Sequence, residues 1–166
     1  FASNNKYVKE LRNLVPENSF IISKIESKEG IKNLLEIIKE SDAILIDRGD
    51  LSREISFEKI PVFQKAIIKK TREEKKEAFV ATNLLESMIE NPAPTRAEVN
   101  DIYNTLLDGA TGLVLAAETA IGKFPVESTL IVKNIINFYN SFEGKNDTSF
   151  NDYEETLKII NEKKID

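Results

Sequence analysis

Apolar residues recur along this chain with two different periods, and the two alternate. Ile31, Leu34, Leu35 and Ile38 fall at i, i+3, i+4 and i+7, the spacing of one helix face. Val99, Ile102, Tyr103, Leu106, Leu107 and Ala110 repeat that spacing behind Thr95-Arg96-Ala97-Glu98, a T-x-x-E capping box with Pro94 just before it. Gly109 stands where this helix should stop. Further helices are predicted over Lys6–Leu14, Pro61–Lys76 and Val126–Phe142. Between the helical patterns lie four short apolar runs, Phe20–Ile25, Ala43–Ile46, Ala78–Ala81 and Leu113–Ala116. Each is followed by a helix, so consecutive strands should pair in parallel through right-handed crossovers. The order αβαβαβαβα predicts an α/β fold. From Glu143 to Ser149 the composition turns polar and Gly-containing, which reads as a linker or loop. Tyr153, Leu157 and Ile160 then predict one last short helix.

Composition narrows the picture. With 166 residues, 41% hydrophobic and 31% charged, the chain can bury one ordinary core. Its 23 basic and 28 acidic residues leave a net charge of -5. No Lys/Arg stripe is interleaved with aromatics, which argues against nucleic acid as a partner. The mixed-sign run Lys69-Lys70-Thr71-Arg72-Glu73-Glu74-Lys75-Lys76-Glu77 reads as a solvated helix face. No apolar run approaches a membrane span and no signal-peptide pattern opens the chain, so a cytoplasmic location without a membrane partner is expected. The chain opens on Phe1 instead of methionine, which predicts a piece of a longer polypeptide or a processed form.

The absence of Cys and His matters more. It removes disulfides, thiolate nucleophiles, imidazole bases and the usual zinc sites. Chemistry must come from Lys, Asp, Glu, Thr, Ser, Tyr, Arg, backbone amides or a hard metal ion. Such groups gather where the apolar runs end: Lys24 and Glu26, then Asp47-Arg48-Gly49-Asp50, then Thr82-Asn83, then Glu118-Thr119. In parallel α/β folds this end of the sheet is where sites are built. Lys24 and Glu26 are two apart and so share one side of a strand. Glu26 and Asp50, brought together from neighbouring strands, could hold Mg²⁺, which takes hard oxygen ligands. A structural salt-bridge cluster accounts for the same charges equally well. Thr82 offers a hydroxyl to a carboxylate or a proton path, or caps a short helix over Leu84–Ile89; Met88 is a core residue. Arg48 and Arg96 are each either ligand contacts or partners of a nearby carboxylate.

Taken together, "ISKIES", "RGDL", "NLLESMIENPAPTRAE", "LLDGATG" and "AAETAIGKFPVES" resemble the motifs of the pyruvate kinase family, in its order and at its spacing. The resemblance covers residues 1–142. It implies the second half of a TIM (β/α)₈ barrel, from the end of the fourth strand through the eighth helix, with 143–166 left as polar linker and short helix. It also implies transfer of a phosphoryl group from phosphoenolpyruvate to ADP, giving pyruvate and ATP. Lys24 would stabilise the phosphoryl group in flight and the enolate oxygen. Glu26 and Asp50 would bind Mg²⁺, with Mn²⁺ as a substitute, and the Gly49 and Asp50 amides would receive the substrate carboxylate with help from Thr82. K⁺ ligands belong to parts of the family's barrel that this chain lacks. The remainder of the barrel is therefore an expected partner in cis or trans, in a protein that is itself a homo-oligomer. These residues alone are predicted not to be a competent kinase.

The chain departs from the family's pattern at several points. Asp47 stands where the family usually has alanine. A carboxylate about 6 Å from one substrate charge costs roughly 3 kcal/mol at an effective dielectric near 20, on the order of a hundredfold in affinity if uncompensated. Ala116-Ala117 replaces Ser-Gly before Glu118, removing a hydroxyl used in protonating the enolate. Asn83 replaces glutamine, Ser52 glycine, and Ala93 a basic residue. Two alternatives follow: a catalytically degenerate barrel with a structural or regulatory role, and a Mg²⁺-dependent lyase acting on another 2-oxo acid.

Overall fold

Ile44, Leu45 and Ile46 show no polar alternation, so a strand built from them must be covered on both faces. The computed structural model describes residues 2–143, and in it this strand is the interior β2 (Ala43–Asp47), with Ile44 and Ile46 inaccessible to solvent. It lies between β1 (Ile22–Ile25) and β3 (Glu77–Ala81), and β4 (Gly112–Val114) completes a four-stranded parallel sheet in the order β1-β2-β3-β4. The register pairs Ile25 with Ile46 and Asp47 with Ala81, which brings the carboxyl ends of the first three strands level. Gly112 lets β4 approach β3, since a Cβ there would lie 2.5 Å from the Phe79 ring.

The helices are α1 (Asn5–Leu14), α2 (Lys28–Lys32), α3 (Leu34–Glu40), α4 (Arg48–Leu51), α5 (Ile60–Glu73), α6 (Arg96–Leu107), α7 (Ala117–Ala120) and α8 (Pro125–Glu143). Short 3₁₀ turns occupy Phe57–Lys59 and Glu86–Ile89. The helix expected through Ile31 and Ile38 is broken at Asn33 (φ -98°, ψ 15°), and the break turns its second half. Leu34, Ile37 and Ile38 therefore enter the core, while Leu35 is 48% exposed. The start of the first strand run also falls outside the sheet, with Phe20 in solvent. No helix begins at Thr82; the 3₁₀ turn starts four residues later. The linker and short helix expected beyond residue 143 lie outside the described residues.

Two apolar clusters hold these layers. Isoleucines dominate the first: Ile25, Ile37, Ile38, Ile44, Ile46, Ile67 and Ile68 join the sheet to α3 and α5. The second gathers Leu84, Leu85, Met88, Ile102, Leu106 and Val132 beneath the 3₁₀ turn, α6 and α8. Each fully buried side chain of this size contributes about 1.5–3 kcal/mol. The predicted capping box forms: Thr95 Oγ1 accepts from Glu98 N at 3.2 Å and Glu98 Oε2 accepts from Thr95 N at 2.7 Å. Glu98 also accepts from Ser87 N at 2.7 Å, which ties α6 to the 3₁₀ turn. Gly109, at φ +98°, stops the chain after α6 as its sequence position predicts. At the amino end of the sheet Arg12 donates to Asp42 (2.7 Å) and to the Ser19 carbonyl (2.6 Å), while Asp42 accepts from Ile21 N at 2.7 Å.

Candidate active site

β1 and β2 end in charged residues at the same level of the sheet, so their side chains meet. The Lys24 ammonium lies 2.8 Å from Glu26 Oε2, 2.8 Å from Asp47 Oδ2 and 3.2 Å from Asp50 Oδ2. One cation thus faces three carboxylates. The bond to Asp47 does most to hold the Lys24 ammonium well above its ordinary pKa, followed by the bond to Glu26. At Asp47 burial pushes the carboxyl up, but Lys24, the Asp50 N–H and the Thr82 hydroxyl together outweigh it and leave it below its ordinary value. One oxygen from each of Glu26, Asp47 and Asp50 lies within 4.8 Å of the others. An all-carboxylate set of this size suits a hard cation such as Mg²⁺, which keeps its remaining positions for water or substrate oxygens.

Asp47 is anchored as well as charged. Its Oδ1 accepts from Asp50 N at 3.2 Å, so it caps the single turn α4. Thr82 Oγ1 accepts from Gly49 N at 2.8 Å, and its proton can go to Asp47 Oδ1 (3.1 Å) or to the Ala81 carbonyl (2.6 Å). The two amides expected to receive a substrate carboxylate are therefore engaged within the chain. Asp47 also forms its own ion pair with Lys24. Thr82 has φ +69° and Asn83 φ +53°. Asn tolerates this left-handed region, but for a β-branched residue it is strained, at a cost of about 1–3 kcal/mol.

Asp47, Gly49, Asp50 and Thr82 face a cleft of about 280 Å³, lined also by Asn83 and Ala116 among others. Glu118, expected to join them from the fourth strand, does stand in the cleft wall, but it is 2% exposed and its carboxylate accepts from Ala116 N (3.0 Å) and Leu85 N (3.3 Å). Arg96 is exposed at the first position of α6 and does not line the cleft. Arg48 resolves toward the structural of its two readings: it is buried and pairs with Asp101 at 2.7 Å. Sequence reasoning missed Asp47 as the anchor of Lys24 and missed Gln64 and Asp101 beside Arg48. The spacing D-x-x-D at Asp47 and Asp50 is the one signal that could have found the cap.

A family model for the barrel domain of pyruvate kinase matches residues 1–129. Among curated relatives, pyruvate kinase of Thermotoga maritima is 53% identical over 115 residues, covering 69% of this chain and 25% of the relative. Pyruvate kinase of Methanocaldococcus jannaschii is 44% identical over 138 residues, covering 81% of this chain and 31% of the relative. Pyruvate kinase of Thermoplasma acidophilum is 38% identical over 172 residues, covering 98% and 32%. A crystal structure of a pyruvate kinase from Cryptosporidium parvum superposes with a TM-score of 0.81 at 39% identity, over 85% of this chain and 30% of that one. The chain thus spans between a quarter and a third of the length of these relatives.

Proposed function

The chain belongs to the pyruvate kinase family, and from that premise we propose that it forms part of an enzyme moving a phosphoryl group from phosphoenolpyruvate to ADP. The observation that carries the reading is the Lys24 ammonium set among Glu26, Asp47 and Asp50 at the strand ends. Phosphoryl transfer relies on positioning and electrostatic stabilisation, so a site without Cys or His suits it. Glu26 and Asp50 would hold Mg²⁺ or Mn²⁺, with Asp47 beside them. Bound there, the ion would neutralise charge developing on the phosphoryl oxygens. Lys24, drawn partly away from its carboxylates, would face the phosphoryl group in flight and the enolate oxygen. The Gly49 and Asp50 amides would exchange their internal acceptors for the substrate carboxylate, and Thr82 would turn its hydroxyl to the same group.

β1 and β4 each pair with one neighbour, leaving sheet edges that strands outside these residues would cover. We place residues 1–142 within the barrel, assign K⁺ ligands and the rest of the barrel to residues outside these, and take the full protein to be a homo-oligomer. A cytoplasmic location goes with this reading.

A second reading, a catalytically degenerate barrel, draws on one observation. Asp47 Oδ1 already accepts from the Asp50 amide, one of the two that would bind the substrate carboxylate. The deciding experiment assays the longest natural chain containing these residues for Mg²⁺-dependent pyruvate formation from phosphoenolpyruvate and ADP, with and without K⁺. Turnover is expected. A folded chain that binds Mg²⁺ and forms no pyruvate would favour the degenerate barrel.

A further inference from the structure

Arg48 stands between the carboxylates of the site in sequence, yet its guanidinium turns away from them into the protein, with its side chain 9% exposed. Its Nε donates to the Thr82 carbonyl at 3.0 Å, and Nη2 donates to the carbonyls of Thr82 and Asn83, both at 2.8 Å. On its other side Nη1 donates to Asp101 Oδ2 at 2.7 Å and reaches Gln64 Oε1 at 3.5 Å. Gln64 is itself buried, and its amide donates to Thr105 Oγ1 at 3.1 Å, so α5 and α6 fix the acceptor that Arg48 meets. Two helices, α5 and α6, thereby hold the guanidinium from behind. In front, it holds two successive carbonyls.

Those carbonyls belong to the two left-handed residues, Thr82 (φ +69°) and Asn83 (φ +53°). A β-branched residue left to itself avoids this conformation. Relaxation to negative φ would swing the Thr82 side chain away from the Gly49 amide and from Asp47. A planar guanidinium with its N–H groups in a fixed fork can bond both carbonyls at once; an ammonium carries the same charge without the fork.

We propose that Arg48 is a positioning residue of the site: it clamps the Thr82–Asn83 step in its left-handed conformation and thereby aims the Thr82 hydroxyl. It acts on substrate only through Thr82, and so rests on the role given to Thr82 in the proposed function. A buried arginine that merely stabilised the fold would weaken the protein without acting through that hydroxyl.

The test is a double-mutant cycle in the longest natural chain, with kcat, KM for phosphoenolpyruvate and melting temperature measured for Arg48→Lys, Thr82→Val and both together. Thr82→Val is expected to lower kcat/KM by about tenfold to a hundredfold, the span of one hydrogen bond to a charged group. Arg48→Lys should cost about tenfold alone but less than about threefold in the Thr82→Val background, because coupled residues are not additive. An equal loss in both backgrounds overturns the proposal, and a silent Thr82→Val overturns it together with the role of Thr82. Should Arg48→Lys fail to fold, Asp101→Asn replaces it. It loosens the same guanidinium from its more exposed partner, at 42% side-chain exposure, and its loss must also vanish in the Thr82→Val background. A crystal structure of the Arg48→Lys variant, or of Asp101→Asn in that case, gives a readout independent of turnover. Thr82 should leave positive φ and its bond to Gly49 should break; both retained would overturn the proposal. A parent chain without kinase activity would instead strike the proposed function and leave this structural test standing.

Discussion

The carboxylates at the ends of β1 and β2 and the carboxylate that follows β4 are the same chemical group meeting different kinds of donor. Glu26, Asp47 and Asp50 converge on an ammonium, and Asp47 and Asp50 line the cleft. Glu118, in α7 after β4, lines the same cleft but is buried and accepts from two backbone amides. What separates them is the set of donors each meets. A side-chain ammonium is a partner that a divalent cation could replace, whereas the amides of Leu85 and Ala116 are fixed in the backbone. The first group can be functional because its partners are replaceable. The second is structural because they are not.

Breaking the structural member should have the largest effect. Glu118→Ala strands two backbone N–H groups in a buried place and should cost about 3 kcal/mol, read from urea denaturation of the longest natural chain. A loss below about 1 kcal/mol would mean that water reaches those amides. Next comes the functional member: Lys24→Met should lower turnover by at least about 10²-fold, the scale of one lost transition-state donor. Its fold should survive, and adding Mg²⁺ should raise the melting temperature more than in the parent chain, because three carboxylates are left without their ammonium. Near-normal turnover would remove Lys24 from the mechanism and with it the contrast.

A smaller effect sharpens the comparison from outside the site. Thr95→Ala removes one arm of the capping box and should cost about 1 kcal/mol of stability with kcat unchanged, since Glu98 keeps its bonds to Ser87. A change in kcat with little change in stability would show the 3₁₀ turn moving the cleft wall. The smallest effect is in acid. Asp47 is held below its ordinary pKa, so its contribution is complete above the ordinary value of 3.8 and disappears as pH falls through its lower folded value. Asp47→Asn should therefore flatten the acid limb of stability against pH, measured by urea midpoints between about pH 5 and pH 2. An unchanged limb would mean that Asp47 has the same pKa folded and unfolded.

Periodicity and end signals determined much of this molecule before any contact was known. Short, β-branched apolar runs such as Ala43–Ile46, bounded by polar residues, favour a covered strand, and T-x-x-E with Gly109 beyond it marks a helix start and stop through purely local hydrogen bonds. Lys24, Glu26, Asp50 and Thr82 were legible as candidates because parallel strands place their carboxyl ends together. Other features were not legible. Nothing in the run from Ile31 to Ile38 said that Asn33 would break the helix and send Leu35 into solvent. Nor could spacing tell that Glu118 would turn toward amides, that Asp47 would hold Lys24, or that Arg48 would reach the carbonyls of residues 34 and 35 positions away. Local propensity and pattern act over a few residues and are written in the chain. The partner of a charge is chosen by which donors the packed layers bring within about 3 Å, and that is decided only when strands and helices distant in sequence settle against one another.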